Sequence, residues 1–251
     1  MNLQGNTILI TGGSSGIGRG LAQAFHQLRN QVIISGRRQS ALDVVTAAHP
    51  GMQAVTLDAA DPVAIRNFAQ TIRKKFPNLN VLINNAGIQS PEDLRAQSED
   101  LTEMEAMVTT NLLGPIRLTA ALLPLLQEQP SSTIMNVTSG LAFLPGAFVP
   151  TYSATKAAMH SYTLSLRFQL KTTTTGVLEL IPPYVQTNLG PNHGTDPRAM
   201  PLADFIAEVI TILRGDPTAT EIVVERCKPL RFAAESGKFD AAFKGLNEAM
   251  G

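Results

Sequence analysis

Short apolar runs alternate along the chain with longer stretches of helical character. Most of the runs are continuous rather than alternating between apolar and polar positions, which is typical of strands covered on both faces. They predict seven β-strands, at residues Thr7–Ile10, Val32–Ser35, Ala54–Leu57, Val81–Ile83, Ile134–Val137, Val177–Ile181 and Glu221–Val224. This order predicts an α/β fold in which a seven-stranded parallel sheet is doubly wound by flanking helices.

The first strand leads into a glycine-rich turn and then into a helix predicted from Gly16 to Leu28. Glycine allows a positive φ and a close approach of backbone to a pyrophosphate, and the helix N-terminus favours an anion. An ordinary tight turn is the alternative, but the position at the first strand–helix junction favours a dinucleotide. The candidate phosphate-binding residues are Gly12, Ser14, Ser15, Gly16, Ile17 and Gly18.

The end of the second strand bears on which nicotinamide cofactor is used. NAD sites usually carry an acid there, whereas this segment has Arg37 and Arg38 and no acid before Asp43. Because the guanidinium fork pairs well with a 2′-phosphate, we expect NADP(H) rather than NAD(H). The alternative is that both arginines are merely solvated at a helix start.

Composition narrows the classes of function. The 251 residues carry 20 basic and 20 acidic side chains, which argues against binding of nucleic acid by bulk electrostatics and against disorder. A single cysteine, Cys227, excludes disulfides within the chain, and the scattered histidines predict no metal site. The uncharged stretch from Gln129 to Thr155 holds three prolines, so it is unsuited to a membrane span, and we expect a soluble cytoplasmic protein.

Four further positions carry candidate carbonyl chemistry. Tyr152 and Lys156 share a helix face, and an ammonium beside a phenol lowers the pKa of the phenol, so that it can exchange a proton with an alkoxide. Ser139 follows the fifth strand, where its hydroxyl can bind the substrate oxygen; a turn cap is the alternative. Asn111 is unfavourable in a long helix, which leaves a functional role or a structural kink open.

Together these motifs resemble the short-chain dehydrogenase/reductase family, in its compact branch with a single Rossmann-type domain, here residues 1–251. The resemblance is carried by Thr11–Gly18, Asn84–Gly87, Asn111, Ser139 and the pair Tyr152 and Lys156, in the order of the family. The segment Glu225–Phe232 also resembles a bacterial subgroup named after the oxidoreductase of D-alanyl-lipoteichoic acid operons. That name describes neighbouring genes rather than a substrate.

The resemblance implies further roles. Asn111 would help hold a water that links Lys156 to solvent, and Lys156 would also bind the nicotinamide ribose. Asp58 would accept a hydrogen bond from adenine, with a strand-end turn as the alternative. The remaining cofactor-binding candidates are Asn85, Ala86 and Gly87 along the adenosine ribose, Val185 and Thr187 at the carboxamide, and Tyr152. Pro183 stands where the family has glycine, which puts the conformation of that loop in doubt.

The substrate pocket is expected to be apolar, to suit a ketone or aldehyde, and to lie under a mobile lid from Asn188 to Met200. Its candidate lining is Leu141, Phe143, Leu144, Phe148, Val149, Tyr184, Leu189 and His193. The predicted activity is NADP(H)-dependent carbonyl reduction or alcohol oxidation, with a small-molecule substrate and neither a nucleic-acid nor a membrane partner. A dinucleotide-sensing protein is the alternative, and a lyase or epimerase is a second one.

The long helices predicted at Thr102–Gln127 and Thr151–Lys171 are apolar enough to pack against copies of themselves, and family resemblance implies a homodimer or homotetramer. Charged residues make up only 16% of the chain, which fits either buried subunit contacts or a surface of uncharged polar groups.

Overall fold

The computed structural model describes residues 1–96, 99–190 and 194–250. Its seven strands form one parallel sheet in the order β3-β2-β1-β4-β5-β6-β7, which confirms the predicted doubly wound sheet. The strands are β1 (Thr7–Thr11), β2 (Gln31–Gly36), β3 (Gln53–Thr56), β4 (Val81–Asn84), β5 (Ser132–Val137), β6 (Thr175–Ile181) and β7 (Glu221–Val223). The strand order reverses between β1 and β4, where ligands bind in such sheets.

Helices cover both faces of the sheet. They are α1 (Gly16–Gln27), α2 (Gln39–Ala48), α3 (Pro62–Lys75), α4 (Thr102–Val108), α5 (Gly114–Gln127), α6 (Pro150–Leu170), α7 (Leu202–Gly215), α8 (Lys228–Arg231) and α9 (Phe239–Met250). A π-helical turn, Thr109–Leu113, joins α4 to α5 without a break. The start of α3 follows the sequence signal, since the carboxylate of Asp61 accepts a hydrogen bond from the Val63 N–H and Pro62 takes the first helical position.

The side chains of β1 show why the strands read as continuous apolar runs. Ile8 and Ile10 are fully buried with residues of α1 and α7, whereas Leu9 is fully buried among residues of α3, α5 and α6 on the opposite face. Because both faces are covered, neither set of alternate positions needs to be polar. The loops at the carboxyl edge are thereby fixed to a rigid sheet.

One helical segment of the described chain, Thr102–Gln127, is long and apolar enough to cross a membrane by length and composition, and a third of its most apolar window is buried. Core helices of soluble proteins pass the same test, so the segment is weak support for a span. The uncharged stretch Gln129–Thr155 forms a loop, β5, further loops and the first turn of α6. The single-domain organisation and the cytoplasmic location stay predictions.

Candidate active site

A cavity of about 450 Å³ opens at the carboxyl ends of β1, β4, β5 and β6. It brings together residues that the sequence places far apart. The predicted site residues that line it are Gly12, Ser15, Gly16, Ile17, Asn85, Ala86, Gly87, Ser139, Tyr152, Lys156, Val185 and Thr187.

The glycine-rich turn packs directly against the segment after β4. Gly12 has a φ of +68°, and a Cβ there would lie 2.9 Å from Asn85 Nδ2 and 3.0 Å from Ala86 Cα. A Cβ on Gly18 would lie 2.4 Å from the same Nδ2 atom. The Thr11 hydroxyl oxygen accepts hydrogen bonds from the N–H groups of Asn85 and Ala86, both at 3.0 Å. Side chains at the glycine positions would therefore separate the two segments.

This turn fits the pyrophosphate of a dinucleotide. Ser15 precedes α1 with extended backbone, and its side chain makes no capping hydrogen bond to the helix. The first N–H groups of α1 are therefore not capped by this side chain, and with the helix dipole they favour an anion at this edge of the cavity.

The residues predicted to select the cofactor lie outside the lining of the cavity, at the same edge of the sheet. Arg37 and Arg38 are exposed, and neither forms an ion pair within the described ranges. Ser14 lies beside them, since its Oγ is 3.5 Å from a Cβ placed on Gly36. Asp43, the nearest acid along the sequence, accepts a hydrogen bond from the Gln39 amide. The arginines are thus available to an anion.

Asp58 is exposed after β3, and its carboxylate accepts a hydrogen bond from the Ala60 N–H at 3.0 Å. This is the strand-end turn given above as the alternative to adenine binding. The second carboxylate oxygen has no such backbone donor among the described contacts, so the turn and a contact with adenine are compatible.

The four predicted catalytic residues are all buried, and they come from three elements. Tyr152 and Lys156 lie one turn apart on α6, with the Lys156 Nζ 5.5 Å from the centre of the Tyr152 ring. The Lys156 ammonium donates a hydrogen bond to the Val137 carbonyl at 2.9 Å. Ser139 follows β5, and its hydroxyl lies near enough to the Tyr152 phenol to favour the ionised form. Ser139, Tyr152 and Lys156 therefore meet on one wall of the cavity.

Asn111 lies in the π-helical turn and binds the backbone after β4. Its Oδ1 accepts from the Ile88 N–H at 2.9 Å, and its Nδ2 donates to the Ile88 carbonyl at 2.8 Å. A Cβ on Gly87 would be 3.3 Å from Asn111 Oδ1 and 3.8 Å from Lys156 Nζ, which places Asn111 near the lysine. Both alternatives given above for Asn111 thus find support: the helix is irregular at this residue, and the side chain lies beside Lys156. A π-helical turn of this kind is frequent at functional sites.

Ser139 also caps a short 3₁₀ turn, as the alternative above expected. Its Oγ accepts from the Leu141 N–H at 3.1 Å. The segment Glu225–Phe232 packs against this turn, because a Cβ on Gly140 would lie 3.0 Å from Cys227 Sγ and 3.2 Å from Leu230 Cβ. The segment Glu225–Phe232, which carries the resemblance to the bacterial subgroup, therefore packs against the turn that holds Ser139.

Burial governs the acid–base properties of the site. Desolvation raises the pKa of Tyr152 to about 12, and the nearby Ser139 hydroxyl acts in the opposite direction. Desolvation lowers the pKa of Lys156 to about 8, opposed by the negative charge of Glu179. The expected fall of the Tyr152 pKa is therefore not seen in the cofactor-free protein, because burial of the phenol outweighs any effect of the Lys156 charge. The ammonium is held by the Val137 carbonyl rather than by the phenol, and desolvation of the phenol dominates.

The loop after β6 keeps its predicted position despite Pro183. The Pro182 carbonyl accepts from the Gly140 N–H at 2.9 Å, and Val185 is buried and pairs with Met200. The Thr187 Cβ lies 3.3 Å from a Cβ placed on Gly16, so this residue faces the glycine-rich turn. Replacement of the family's glycine therefore leaves Val185 and Thr187 at the cavity.

The substrate side of the cavity is apolar but differs from the predicted lining. Leu141, Phe148, Tyr184 and Leu189 line it, as expected. Three predicted lining residues do not, because Leu144 and Val149 are buried in the core and Phe143 packs against the ring of His160. His193 lies outside the described residues.

Sequence reasoning missed the wall formed by the C-terminal helix. Leu246 and Met250 of α9 line the cavity together with Leu230. The Asn247 amide attaches α9 to the loop after Ser139, since it accepts from the Ala147 N–H and donates to the Pro145 carbonyl. The available signal was an apolar stripe at helical spacing, formed by Phe239, Phe243, Leu246 and Met250.

Comparison with known proteins agrees with this geometry. The short chain dehydrogenase family profile matches residues 6–198. An uncharacterized oxidoreductase, DltE, of Bacillus subtilis (strain 168) is 38% identical over 251 residues, covering 98% of each chain. This match confirms the predicted subgroup resemblance.

Solved structures share the fold. A short chain dehydrogenase from Burkholderia cenocepacia J2315 in complex with NADP has a TM-score of 0.82 at 21% identity, covering 98% of this chain and 99% of that one. One from Burkholderia phymatum in complex with NAD has a TM-score of 0.80 at 19% identity, covering 96% of each. The chain therefore belongs to the short-chain dehydrogenase/reductase family of oxidoreductases.

Proposed function

We propose that the protein is an NADP(H)-dependent oxidoreductase that interconverts a carbonyl compound and its alcohol. The observation that carries this proposal is the meeting of the Ser139 and Tyr152 hydroxyls with the Lys156 ammonium on the wall of the cavity. The glycine turn that fits a pyrophosphate borders the same cavity, so one bound dinucleotide would reach both ends of the site.

Each polar group has a distinct part in the reduction. The hydroxyls of Ser139 and Tyr152 bind the carbonyl oxygen, and Tyr152 donates the proton that the forming alkoxide takes up. Its raised pKa keeps the phenol protonated at neutral pH, in the form that a proton donor needs. Lys156 stabilises the phenolate left behind, and Asn111 supports the water that returns the proton. A nicotinamide dinucleotide held by the glycine-rich turn and Lys156 would supply or accept the hydride.

The preference for NADP(H) rests on Arg37 and Arg38. Both are exposed, both lack an acidic partner among the described residues, and Arg38 takes the N-cap position of α2. Two cations are unfavourable at a helix N-terminus unless an anion binds there, and a 2′-phosphate is such an anion. Solved relatives in the family bind NADP or NAD, so the arginines carry the choice.

The substrate class follows from the lining of the cavity. Among its described residues only Lys156 is charged, and the substrate side presents Ile88, Leu141, Phe148, Leu246 and Met250. No arginine offers a clamp for a carboxylate or phosphate within this lining. A neutral, apolar ketone or aldehyde suits these walls. We also propose a cytoplasmic homodimer or homotetramer with no nucleic-acid or membrane partner.

The test is oxidation of NADPH and of NADH, measured side by side by absorbance at neutral pH. The panel contains aromatic ketones, aliphatic aldehydes and vicinal diketones. We expect faster turnover with NADPH, and in Tyr152→Phe a fall in kcat of about 100-fold or more with the cofactor Kd nearly unchanged. The control is Tyr162→Phe, which changes a half-buried tyrosine on the same helix and should leave kcat unaltered.

The outcomes separate the parts of the proposal. Faster turnover with NADH would contradict the role of Arg37 and Arg38 in selecting NADP(H). It would not contradict the catalytic role of Tyr152. Tight cofactor binding without any turnover, unchanged in Tyr152→Phe, would favour the dinucleotide-sensing alternative. Product formation without net consumption of cofactor would favour the lyase or epimerase.

A further inference from the structure

A buried carboxylate acts electrostatically on the lysine of the site. Glu179, in the middle of β6, has no exposed surface. The Thr138 hydroxyl donates to its Oε1 at 2.7 Å, and the His160 Nδ1 is 2.8 Å from its Oε2. Each carboxylate oxygen therefore has its own partner, which is what a buried charge requires. The cavity chemistry described above makes no use of Glu179, Thr138 or His160.

The fold ties this carboxylate to Lys156 through two shared elements. His160 follows Lys156 by one turn on α6. Thr138, which holds Glu179, directly follows Val137, whose carbonyl accepts the hydrogen bond from Lys156. The same strand end and the same helix face thus fix both groups. The negative charge of Glu179 acts on the ammonium and opposes the effect of burial on its pKa.

The charges around Glu179 continue outward to the surface. Its register partner on β7 is Glu221, and ligand atoms of His160, Glu179 and Glu221 lie within 4.8 Å of one another. This grouping resembles a metal site, but Arg231 binds both oxygens of Glu221, at 2.8 Å and 3.0 Å, and also pairs with Glu235. The cluster is therefore an ion-pair network. Within the described chain, the titratable and charged groups facing Glu179 are Lys156 and His160 from α6 and Glu221 from β7, with Arg231 of α8 behind Glu221.

We propose that Glu179 is a positioning residue, which keeps Lys156 charged at neutral pH and oriented on the Val137 carbonyl through the contacts of Thr138 and His160. A buried ammonium without a counter-charge would release its proton near neutral pH and could no longer stabilise a phenolate. The catalytic meaning of this role rests on the carbonyl chemistry proposed above, but the electrostatic effect on Lys156 does not.

The primary test measures the titration of Lys156 directly, without turnover. Protein carrying ¹³C-labelled lysine is titrated by NMR in its cofactor-free form, and the Lys156 Cε signal is assigned by its loss in Lys156→Arg. We expect a midpoint near the pKa of about 8 in the wild-type protein. In Glu179→Gln the midpoint should fall by about half a pH unit or more, because the amide has a similar shape but no charge.

Two further variants keep the test decisive. Glu221→Gln is the matched control, since it removes the same charge from the register partner on β7; we expect less than half the displacement seen for Glu179→Gln. If Glu179→Gln fails to fold, His160→Ala replaces it, because this partly exposed side chain is easier to remove. Loss of its contact weakens the hold on the carboxylate, so the midpoint should fall in the same direction.

An unchanged midpoint in Glu179→Gln and in His160→Ala would overturn the proposal, and so would equal displacements in Glu179→Gln and Glu221→Gln. In the turnover assay, the alkaline limb of kcat/KM for carbonyl reduction should move to lower pH in Glu179→Gln by the same amount as the NMR midpoint. A moved midpoint in a protein that reduces no carbonyl would uphold the role of Glu179 and contradict the proposed function instead.

Discussion

Lys156 carries an ammonium group into a buried site, and burial works against that charge. Its pKa falls to about 8, whereas an unfolded lysine has a pKa near 10.5. Between these values the unfolded chain binds more protons than the folded one, so stability rises with pH across this window. Above pH 10.5 Lys156 is neutral in both the folded and the unfolded chain, so its burial costs no charge desolvation. As the pH falls from there through about 8, the folded protein progressively loses stability relative to the unfolded chain.

This difference predicts a specific pH dependence of stability. Relative to Lys156→Met, the free energy of unfolding of the wild-type protein should rise by about 2 kcal/mol between pH 7 and pH 10. Urea unfolding at both pH values measures it. Lys171→Met is the control, because Lys171 is exposed at the end of α6 and its removal should leave the difference constant with pH. A flat difference for Lys156→Met would show that the ammonium is not desolvated in the folded protein.

Sequence patterns identified residues better than they identified energies. The sequence offered Ser139 because it follows a strand, Tyr152 and Lys156 because they share a helix face, and Asn111 because it is unfavourable in a helix. The direction of the Tyr152 pKa was not predictable, since desolvation depends on side chains distant in sequence that close over the phenol. Glu179 was missed for the same reason, as a single acid in an apolar strand gives no sign of its partners on β5 and α6.

At the scale of elements, the strands were predictable and the walls of the site were not. Continuous apolar runs located all seven strands because helices cover both faces of the sheet. The stripe on α9 predicts that this helix packs one face against the protein, but nothing in it tells which surface lies opposite. The prediction that Leu144 and Val149 line the cavity was wrong for a similar reason. An apolar residue in a loop can lie in the core as well as in the wall of a cavity.

The attachment of α9 leads to a prediction on substrate binding. Asn247→Ala removes the two hydrogen bonds to the loop at Pro145 and Ala147, worth about 1 kcal/mol each. Helix α9 would then cover the cavity for less of the time, so KM for apolar carbonyl substrates should rise about five-fold or more while kcat changes little. Steady-state kinetics with NADPH held saturating measures both.

Glu248→Ala is the matched control for this prediction. It changes the next residue of α9, whose exposed side chain pairs only loosely with Lys244 at 3.8 Å. Cleavage of α9 by carboxypeptidase gives a second measurement, and it should be faster in Asn247→Ala than in the control. Equal KM values for the two variants would contradict a role of α9 as a wall of the substrate site.

At the scale of the whole molecule, exposed apolar side chains on the outer helices bear on the oligomeric state proposed above. Only a third of the apolar window within Thr102–Gln127 is buried in the single chain. On the neighbouring α6, Leu164 and Phe168 lie one turn apart and are 44% and 68% exposed. Exposed apolar side chains of this kind are typical of contact sites, and a second copy of the chain would cover them without any membrane.

The oligomeric state can therefore be tested on α6. Light scattering after gel filtration should give two or four times the chain mass for the wild-type protein and the monomer mass for a variant combining Leu164→Glu and Phe168→Glu. Burying unpaired carboxylates in a subunit contact costs several kcal/mol, enough to dissociate it at micromolar concentration. Val44→Glu, at a residue 70% exposed on α2, introduces the same charge away from α6 and should keep the wild-type mass. A monomeric wild-type protein, or an unchanged mass in the α6 variant, would leave this surface without a partner copy.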